Sequence, residues 1–273
     1  MSLPGIAPWE RGLFSLLIRK FVAYRTDFWV NFVGLVLVEL TCAYFLWQAV
    51  FEARGVTSLQ GYTLESFLFY YLLVAAVLGM LRGRDFGFAF REIYSGGFTR
   101  YILYPISVLR YYYIVSCVEL AVGSVKLLLG IGVFCLVFGM PSGVAFGPAS
   151  FLAGLSACVV AGVLYFFITS CVEYAAFWIE NVWTLLVLKQ FVEIFLGGAL
   201  IPLSFFPDTL QTVLSFTPFP YLISFPVNAF MGQLSLWEWC SSALITLAWA
   251  LTFAHLARLI LRRGSYVYSG VGM

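Results

Sequence analysis

The chain has 273 residues, of which 62% are hydrophobic and 10% are charged, and its formal net charge is +2. Soluble globular domains carry about 25% charged residues, so this composition excludes a water-soluble fold. We therefore expect a single transmembrane domain that occupies residues 1–273.

The first predicted element is a cytoplasmic helix within residues 1–27 that lies in the membrane interface. Apolar side chains recur there at helical spacing, at Phe14, Leu17, Ile18 and Phe21, while the basic residues fall mostly on other faces. A helix with this pattern lies in the plane of the interface and does not span the membrane.

Six apolar stretches follow, each near the roughly 20 residues that a helix needs to cross the hydrocarbon core. They run over about Phe28–Phe51, Thr63–Leu81, Arg110–Met140, Ser150–Val172, Val182–Ile201 and Leu236–Leu256. These stretches predict an all-α integral membrane protein with six transmembrane helices. The third is longer than one crossing requires, so we expect it to tilt, or to break near Gly123, Gly130 or Gly132.

Two connections are too long to be simple turns. Residues 82–110 have room for one or two short helices. Residues 203–233 are apolar but are interrupted by Pro207, Pro218, Pro220 and Pro226. Because unpaired backbone is not tolerated against lipid, we expect two short helices that dip into the membrane and return, and not a seventh span.

The basic residues are sorted between the two sides of the membrane. Of the 15 Lys and Arg residues, 12 fall in the N-terminal segment, in residues 82–110 or near the C-terminus, and Lys126 and Lys189 lie inside spans. Arg54 alone lies in a connection that the six predicted spans place on the other side of the membrane. Basic flanks stay in the cytoplasm, so we expect an inner (plasma) membrane protein with both termini cytoplasmic.

The motifs of common enzymes are missing from the sequence. It contains one histidine, His255, so a zinc site of the H-E-x-x-H type is excluded, and no Gly-Lys pair occurs, which excludes a P-loop. We expect no catalytic residue, no metal, no cofactor, no nucleic-acid partner and no ATP hydrolysis by this chain alone.

Charged residues inside the spans are candidates for function. They are Glu39, Glu119, Lys126, Lys189 and Glu193. Ionisable groups are costly in hydrocarbon and usually face a cavity or a charged partner. Lys189 and Glu193 are four residues apart and share a helix face. The lining of a transport pathway and structural pairing between helices are both open interpretations.

Four groups of local sequence resemble one protein family, in order along the chain. They are Tyr24–Trp29; Glu92–Gly97 with Leu103–Ser107; Phe177–Asn181; and Gly197–Leu203 with Phe206–Pro207 and Phe216–Phe219. They resemble the entry to the first span, the cytoplasmic coupling segment, the start of the fifth span and the outer re-entrant stretch of one kind of membrane subunit. That subunit is the permease of ABC transporters of the second exporter type, in the small six-span branch encoded with a separate ATPase.

The resemblance implies the transmembrane subunit of an ATP-driven exporter. A second permease subunit, identical or homologous, would complete the pathway in the bilayer, and a P-loop ATPase subunit would bind the ATP. The ATPase-coupling residues are then expected to be Phe86, Phe90, Arg91, Glu92, Ile93 and Gly97. An outer gate is expected to include Pro202, Phe206, Pro207 and Phe219.

Two other functions remain possible from the sequence. An ATP-independent carrier or channel is expected to show inverted repeats or ion sites, and neither is evident in the sequence. A membrane assembly subunit is compatible with every pattern described above. Co-purification with a P-loop ATPase would separate the exporter from both.

The topology can be tested with a membrane-impermeant thiol reagent in a cysteine-free background. A cysteine that replaces Val56 should react from outside, whereas one that replaces Ser265 should react only after permeabilisation, because the arginines near it resist translocation. Reaction of position 265 from outside, or none at position 56 when both sides are accessible, would contradict six spans.

Overall fold

A computed structural model describes residues 8–23, 25–82, 87–103, 108–141 and 144–270 of the chain. These residues form eleven α-helices and two short 3₁₀ helices, Tyr174–Phe177 and Leu203–Phe205. The α-helices are α1 (Pro8–Ala23), α2 (Arg25–Arg54), α3 (Leu64–Arg82), α4 (Phe88–Tyr94), α5 (Thr99–Leu103), α6 (Val108–Phe138), α7 (Pro148–Glu173), α8 (Val182–Leu196), α9 (Asp208–Ser215), α10 (Ser224–Phe230) and α11 (Leu236–Val267).

The predicted all-α membrane architecture agrees with these helices. Among the described residues, four helices are long and apolar enough to cross a membrane, namely α3, α6, α7 and α11. Helix α2, with 30 residues, also has sufficient length. Helix α8 has 15 residues, which gives a length of about 22 Å and is less than the hydrocarbon thickness of about 30 Å. The count of six spans therefore stays a prediction.

The predicted end of the fifth span is wrong. We expected it at Ile201, before Pro202, but α8 ends at Leu196 and Gly197 is its C-cap residue. Gly198 then adopts a left-handed conformation with φ of +85°, which glycine adopts without steric cost. The glycine pair therefore ends this helix five residues before the predicted boundary.

Of the two alternatives for the third span, the break does not occur, because α6 is continuous from Val108 to Phe138, and the tilt stays a prediction. Gly123 has a different role there. A side chain at this position would come within 3.0 Å of the Met80 Cα atom on α3. The glycine allows the backbones of α3 and α6 to approach each other closely.

Helices α3 and α7 lie at the centre of the bundle. Helix α3 packs against α2, α6, α7 and α10, and α7 packs against α11, α10, α8 and α3. The larger hydrophobic cluster surrounds the first part of α7 and includes Phe67, Tyr70, Leu164 and Phe230. A smaller cluster lies at the other end of α7, where the chain carries α4 and α5. We call this the coupling end.

Residues 203–233 form the two predicted short α-helices, α9 and α10, at the end of the bundle opposite the coupling end. The turn that precedes them is held by α3. The Tyr70 hydroxyl donates to the Gly198 carbonyl at 2.5 Å, and the Tyr71 hydroxyl donates to the Leu200 carbonyl at 2.8 Å. The position of this segment relative to the membrane stays a prediction.

The contact of α7 with α10 can be tested by Gly154→Ala. The added methyl group would overlap the Phe230 ring, and overpacking of this kind costs about 1–3 kcal/mol. Gly162→Ala on the same helix is the control, since its methyl group would meet only Leu81 and Leu120, at 3.8 and 3.9 Å. In detergent, Gly154→Ala should lower the melting temperature and Gly162→Ala should not. Equal melting temperatures for the two variants would contradict the close contact.

Candidate functional site

The predicted coupling residues occupy different environments in the structure. Phe86 lies outside the described residues. Phe90 and Ile93 are buried in the smaller cluster at the coupling end, whereas Arg91 is exposed. The apolar side of α4 therefore packs on its own bundle, and Arg91 lies on the exposed side.

Glu92 and Gly97 shape the turn between α4 and α5. The Glu92 carboxylate forms an ion pair with Arg100 at 2.7 Å, and the Glu92 carbonyl accepts a hydrogen bond from the Phe98 amide at 2.8 Å. A side chain at position 97 would collide with that carboxylate. These two residues therefore hold the segment in shape and are only partly available to a partner.

Glu173, at the end of α7, caps the first turn of α4. Its carboxylate accepts a hydrogen bond from the Gly87 amide at 2.8 Å and another from the Ala89 amide. The side chain is buried, with 8% of its residue surface exposed. Hydrogen bonds to a carboxylate are stronger than neutral ones, so Glu173 attaches the coupling helix firmly to the central helix. We did not identify this residue from the sequence.

Tyr94 links the coupling segment to the start of α8. Its hydroxyl donates to the Ile179 carbonyl at 2.6 Å and accepts from the Val182 amide at 3.1 Å. The amide of Val182 lies in the first turn of α8, where no helical partner exists for it. One side chain therefore satisfies the backbone on both sides of the turn into α8.

The end of α11 closes the coupling end with an aromatic cluster. The rings of Phe98, Phe177 and Tyr268 lie 5.3–6.0 Å apart in edge-to-face arrangements. Gly264 lies directly against the Phe177 ring and leaves no room for a side chain. Helix α11 extends to Val267, beyond the predicted Leu256, and this extension brings it to the coupling segment.

The comparison with protein families agrees with this arrangement. A family model described as ABC-2 family transporter protein matches residues 37–272. The chain belongs to the ABC-2 transporter family. No curated protein and no solved structure gives a significant match. Membership implies a multi-pass membrane protein that is the transmembrane component of an ABC transporter, and it implies partnership with an ATPase subunit.

The predicted ion pair between Lys189 and Glu193 on α8 of the ABC-2 protein is present, and it is buried in the bundle. Lys189 Nζ lies 2.9 Å from Glu193 Oε1, and both side chains are buried. Lys189 also lies over the Tyr165 ring, with 4.2 Å from Nζ to the ring centroid. Arg82 and Glu173 are near enough to Lys189 to act on it electrostatically. The sequence favoured Glu193, with Glu119 or Glu39 as interhelical alternatives, and the structure pairs Lys189 with Glu193.

The other predicted intramembrane charges lie on different helices. Glu39, on α2, interacts electrostatically with Arg82. Glu119 and Lys126 are on α6, both partly buried and both engaged in interactions. Whether any of them lines a pathway in the ABC-2 protein stays a prediction. Among the described residues, no three His, Cys, Asp or Glu side chains are grouped closely enough to hold a metal ion.

The predicted gate residues of the ABC-2 protein are dispersed between α8 and α10. Pro202 is buried, Pro207 is exposed before α9, and Phe219 is half-buried. Phe206 packs against Phe195 on α8, with ring centroids 5.8 Å apart. The neighbouring Phe205 enters the aromatic cluster around Phe67, with 5.6 Å between the two ring centroids.

The cap on α4 can be tested by Glu173→Gln, which keeps the shape of the side chain and removes its charge. Loss of charge-assisted hydrogen bonds costs about 1.5–3 kcal/mol, so amide hydrogen exchange in residues 87–98 should accelerate by about tenfold or more. Glu65→Gln, an exposed first-turn residue of α3, is the control. Unchanged exchange in the first variant would contradict the cap.

The ion pair on α8 can be tested by a double-mutant cycle. Lys189→Met or Glu193→Gln alone breaks the buried ion pair by removing one partner, a loss of about 3–5 kcal/mol, so each should reduce the yield and melting temperature of folded protein. The double variant should recover much of both if the pair is structural. Additive losses would contradict the pairing. A stable double variant that fails to support transport would favour the pathway interpretation.

Proposed function

We propose that the chain is the transmembrane subunit of an ATP-driven exporter, powered by a separate P-loop ATPase that docks on α4 and α5. The membrane is the inner (plasma) membrane, and the coupling end faces the cytoplasm. Family membership supports the ATPase partnership, and the basic residues of the N-terminal segment, residues 82–110 and the C-terminus support the orientation.

The attachment of the coupling segment is the observation that carries this proposal. Helix α4 is attached to α7 through Glu173 and to the start of α8 through Tyr94. Phe98, in the turn after α4, packs against Tyr268 at the end of α11. A force applied to the exposed side of α4 is therefore transmitted to three long elements of the bundle at once. A segment that only lay on the membrane surface would not need these buried attachments.

A second permease subunit fits the outward face of α8. Leu188, Phe191 and Phe195 are 59%, 68% and 49% exposed, and their spacing places them on one side of the helix. The charged pair lies on the opposite, buried side. An apolar face of this kind suits either lipid or the same helix of a second subunit, and we propose that it contributes to a homodimer or heterodimer around the pathway.

The outer segment, residues 203–233, is proposed to close the pathway at the opposite end. The turn that precedes it is attached to α3 through Tyr70 and Tyr71, and α10 packs on α7; both contacts support this role. Apolar side chains at a constriction exclude water and ions while it is closed.

ATPase docking can be tested with Arg91→Glu, in a cell that also produces the candidate P-loop ATPase. Arg91 is exposed on α4. Loss of an arginine from an interface costs about 2 kcal/mol of binding free energy, which would weaken binding of the ATPase, and so its co-purification, more than tenfold. Glu92 is less suitable for this test because its change would disturb the segment itself.

The matched control is Arg54→Glu, an exposed arginine at the end of α2. It lies on the predicted outer side and should leave co-purification and stimulated ATP hydrolysis unchanged. If Arg91→Glu behaves like this control, α4 is not the docking site. If the wild-type chain captures no ATPase under any of these conditions, the carrier, channel or assembly functions replace the exporter.

A further inference from the structure

A cavity of about 260 Å³ lies between α1, α3, α6 and α7 near the coupling end. This volume is close to the lower end of small-molecule sites, about 300 Å³. Arg82 and Thr169 line it toward the coupling end, and Leu120 and Val163 line it further along α6 and α7. Lys20, which is exposed on α1, lies at its rim. The lining is therefore polar at one end and apolar at the other.

Three side chains in this lining hold hydrogen-bond donors that are buried and unused. They are Arg82, through Nε and Nη2, and the hydroxyl groups of Tyr165 and Thr169; none of these atoms has a hydrogen-bond partner among the described residues. Tyr165 is only 5% exposed. Buried donors without partners are costly and uncommon in folded proteins, so their convergence on one cavity indicates a missing acceptor.

The Thr169 hydroxyl lacks the hydrogen bond that a threonine within a helix can form with its own helix backbone. A hydroxyl in a helix usually donates to the carbonyl four residues earlier. Ser170, its neighbour, does so to Phe166 at 2.8 Å, and Thr252 does so to Ala248 at 3.0 Å. The Thr169 hydroxyl makes no such bond. It lies near the Tyr165 hydroxyl, but no hydrogen bond of good geometry joins the two.

The carboxylates in the lining are already engaged. Glu173 accepts the backbone amides of Gly87 and Ala89, and Glu119 also has an interaction partner. Glu39 acts on Arg82 electrostatically but accepts no hydrogen bond from its Nε or Nη2 atoms. The donors of Arg82, Tyr165 and Thr169 are therefore left for a ligand that brings acceptor oxygens and negative charge.

We propose that this cavity binds an anionic amphiphile. Its phosphate or other oxyanion would accept hydrogen bonds from Arg82, Tyr165 and Thr169, and its apolar chain would lie along Leu120 and Val163. A guanidinium suits an oxyanion because its planar donors match two oxygens at once. Lys20 at the rim favours negative over zwitterionic headgroups. Binding of the amphiphile is measured without an ATPase, so its outcome is independent of the proposed transport function.

The test is competitive lipid retention. The purified chain is reconstituted in nanodiscs of equal phosphatidylglycerol and phosphatidylcholine, extracted in detergent, and its bound lipids are counted by native mass spectrometry. The wild-type chain should retain phosphatidylglycerol over phosphatidylcholine by about tenfold, as expected for charge-assisted hydrogen bonds. The double variant Tyr165→Phe with Thr169→Val removes two hydroxyl groups with little change of shape and should lose most of this preference. Arg82→Gln should abolish it.

The controls are Tyr266→Phe and Thr252→Val, which make the same chemical changes at exposed positions on α11. Both should keep the wild-type preference. Equal retention of the two lipids by the wild-type chain, or full preference in the double variant, would overturn the proposal. Inorganic phosphate distinguishes the two sources of the anion. If phosphate alone raises the melting temperature and phosphatidylglycerol is not preferred, the site takes a soluble anion and the amphiphile is excluded.

Discussion

The requirement that backbone groups find partners inside an apolar environment shapes this protein more than any other constraint. Helix α8 has 15 residues, and the chain leaves the helical conformation at both of its ends. Tyrosine hydroxyls supply the missing partners in both places. Tyr94 serves Ile179 and Val182 at one end, and Tyr70 and Tyr71 serve the turn after Gly197 at the other. Because lipid offers no hydrogen bonds, these contacts fix α8 relative to α3 and α4.

The same helix shows how buried charge selects one arrangement. Lys189 and Glu193 face α7, and Leu188, Phe191 and Phe195 face outward. A rotation of α8 about its axis would expose the ion pair to lipid, where each charge costs about 2.5–3.5 kcal/mol on insertion scales. A buried ion pair adds little net stability. Its value here is that it specifies which face of a uniformly apolar helix packs inward.

The sequence predicts those features that depend on composition over many residues. The bounds of α3 and α7 follow from the lengths of their apolar stretches, and the prolines of residues 203–233 predict short helices. Features made by single residues at a distance were missed. In the sequence, Glu173 looks like any charged residue that follows a span. Its partner Gly87 is 86 positions away, and no local pattern connects the two residues. Gly197 and Gly198 were visible in the sequence, but we placed the end of this helix at Ile201, before Pro202.

Helix α7 connects α4 at one end of the bundle with α10 at the other. Its last residue, Glu173, caps the coupling helix, and near its start Gly154 packs against Phe230 of α10. Its 26 residues give a length of about 39 Å as a continuous helix. A helix of this length that is anchored at both ends moves as a unit, because close packing permits discrete shifts and resists gradual deformation. In the proposed exporter, displacement of α4 would therefore reach the outer segment through α7 itself. The unused donors of Arg82, Tyr165 and Thr169 lie beside this helix, so an amphiphile bound there would act on the same moving element.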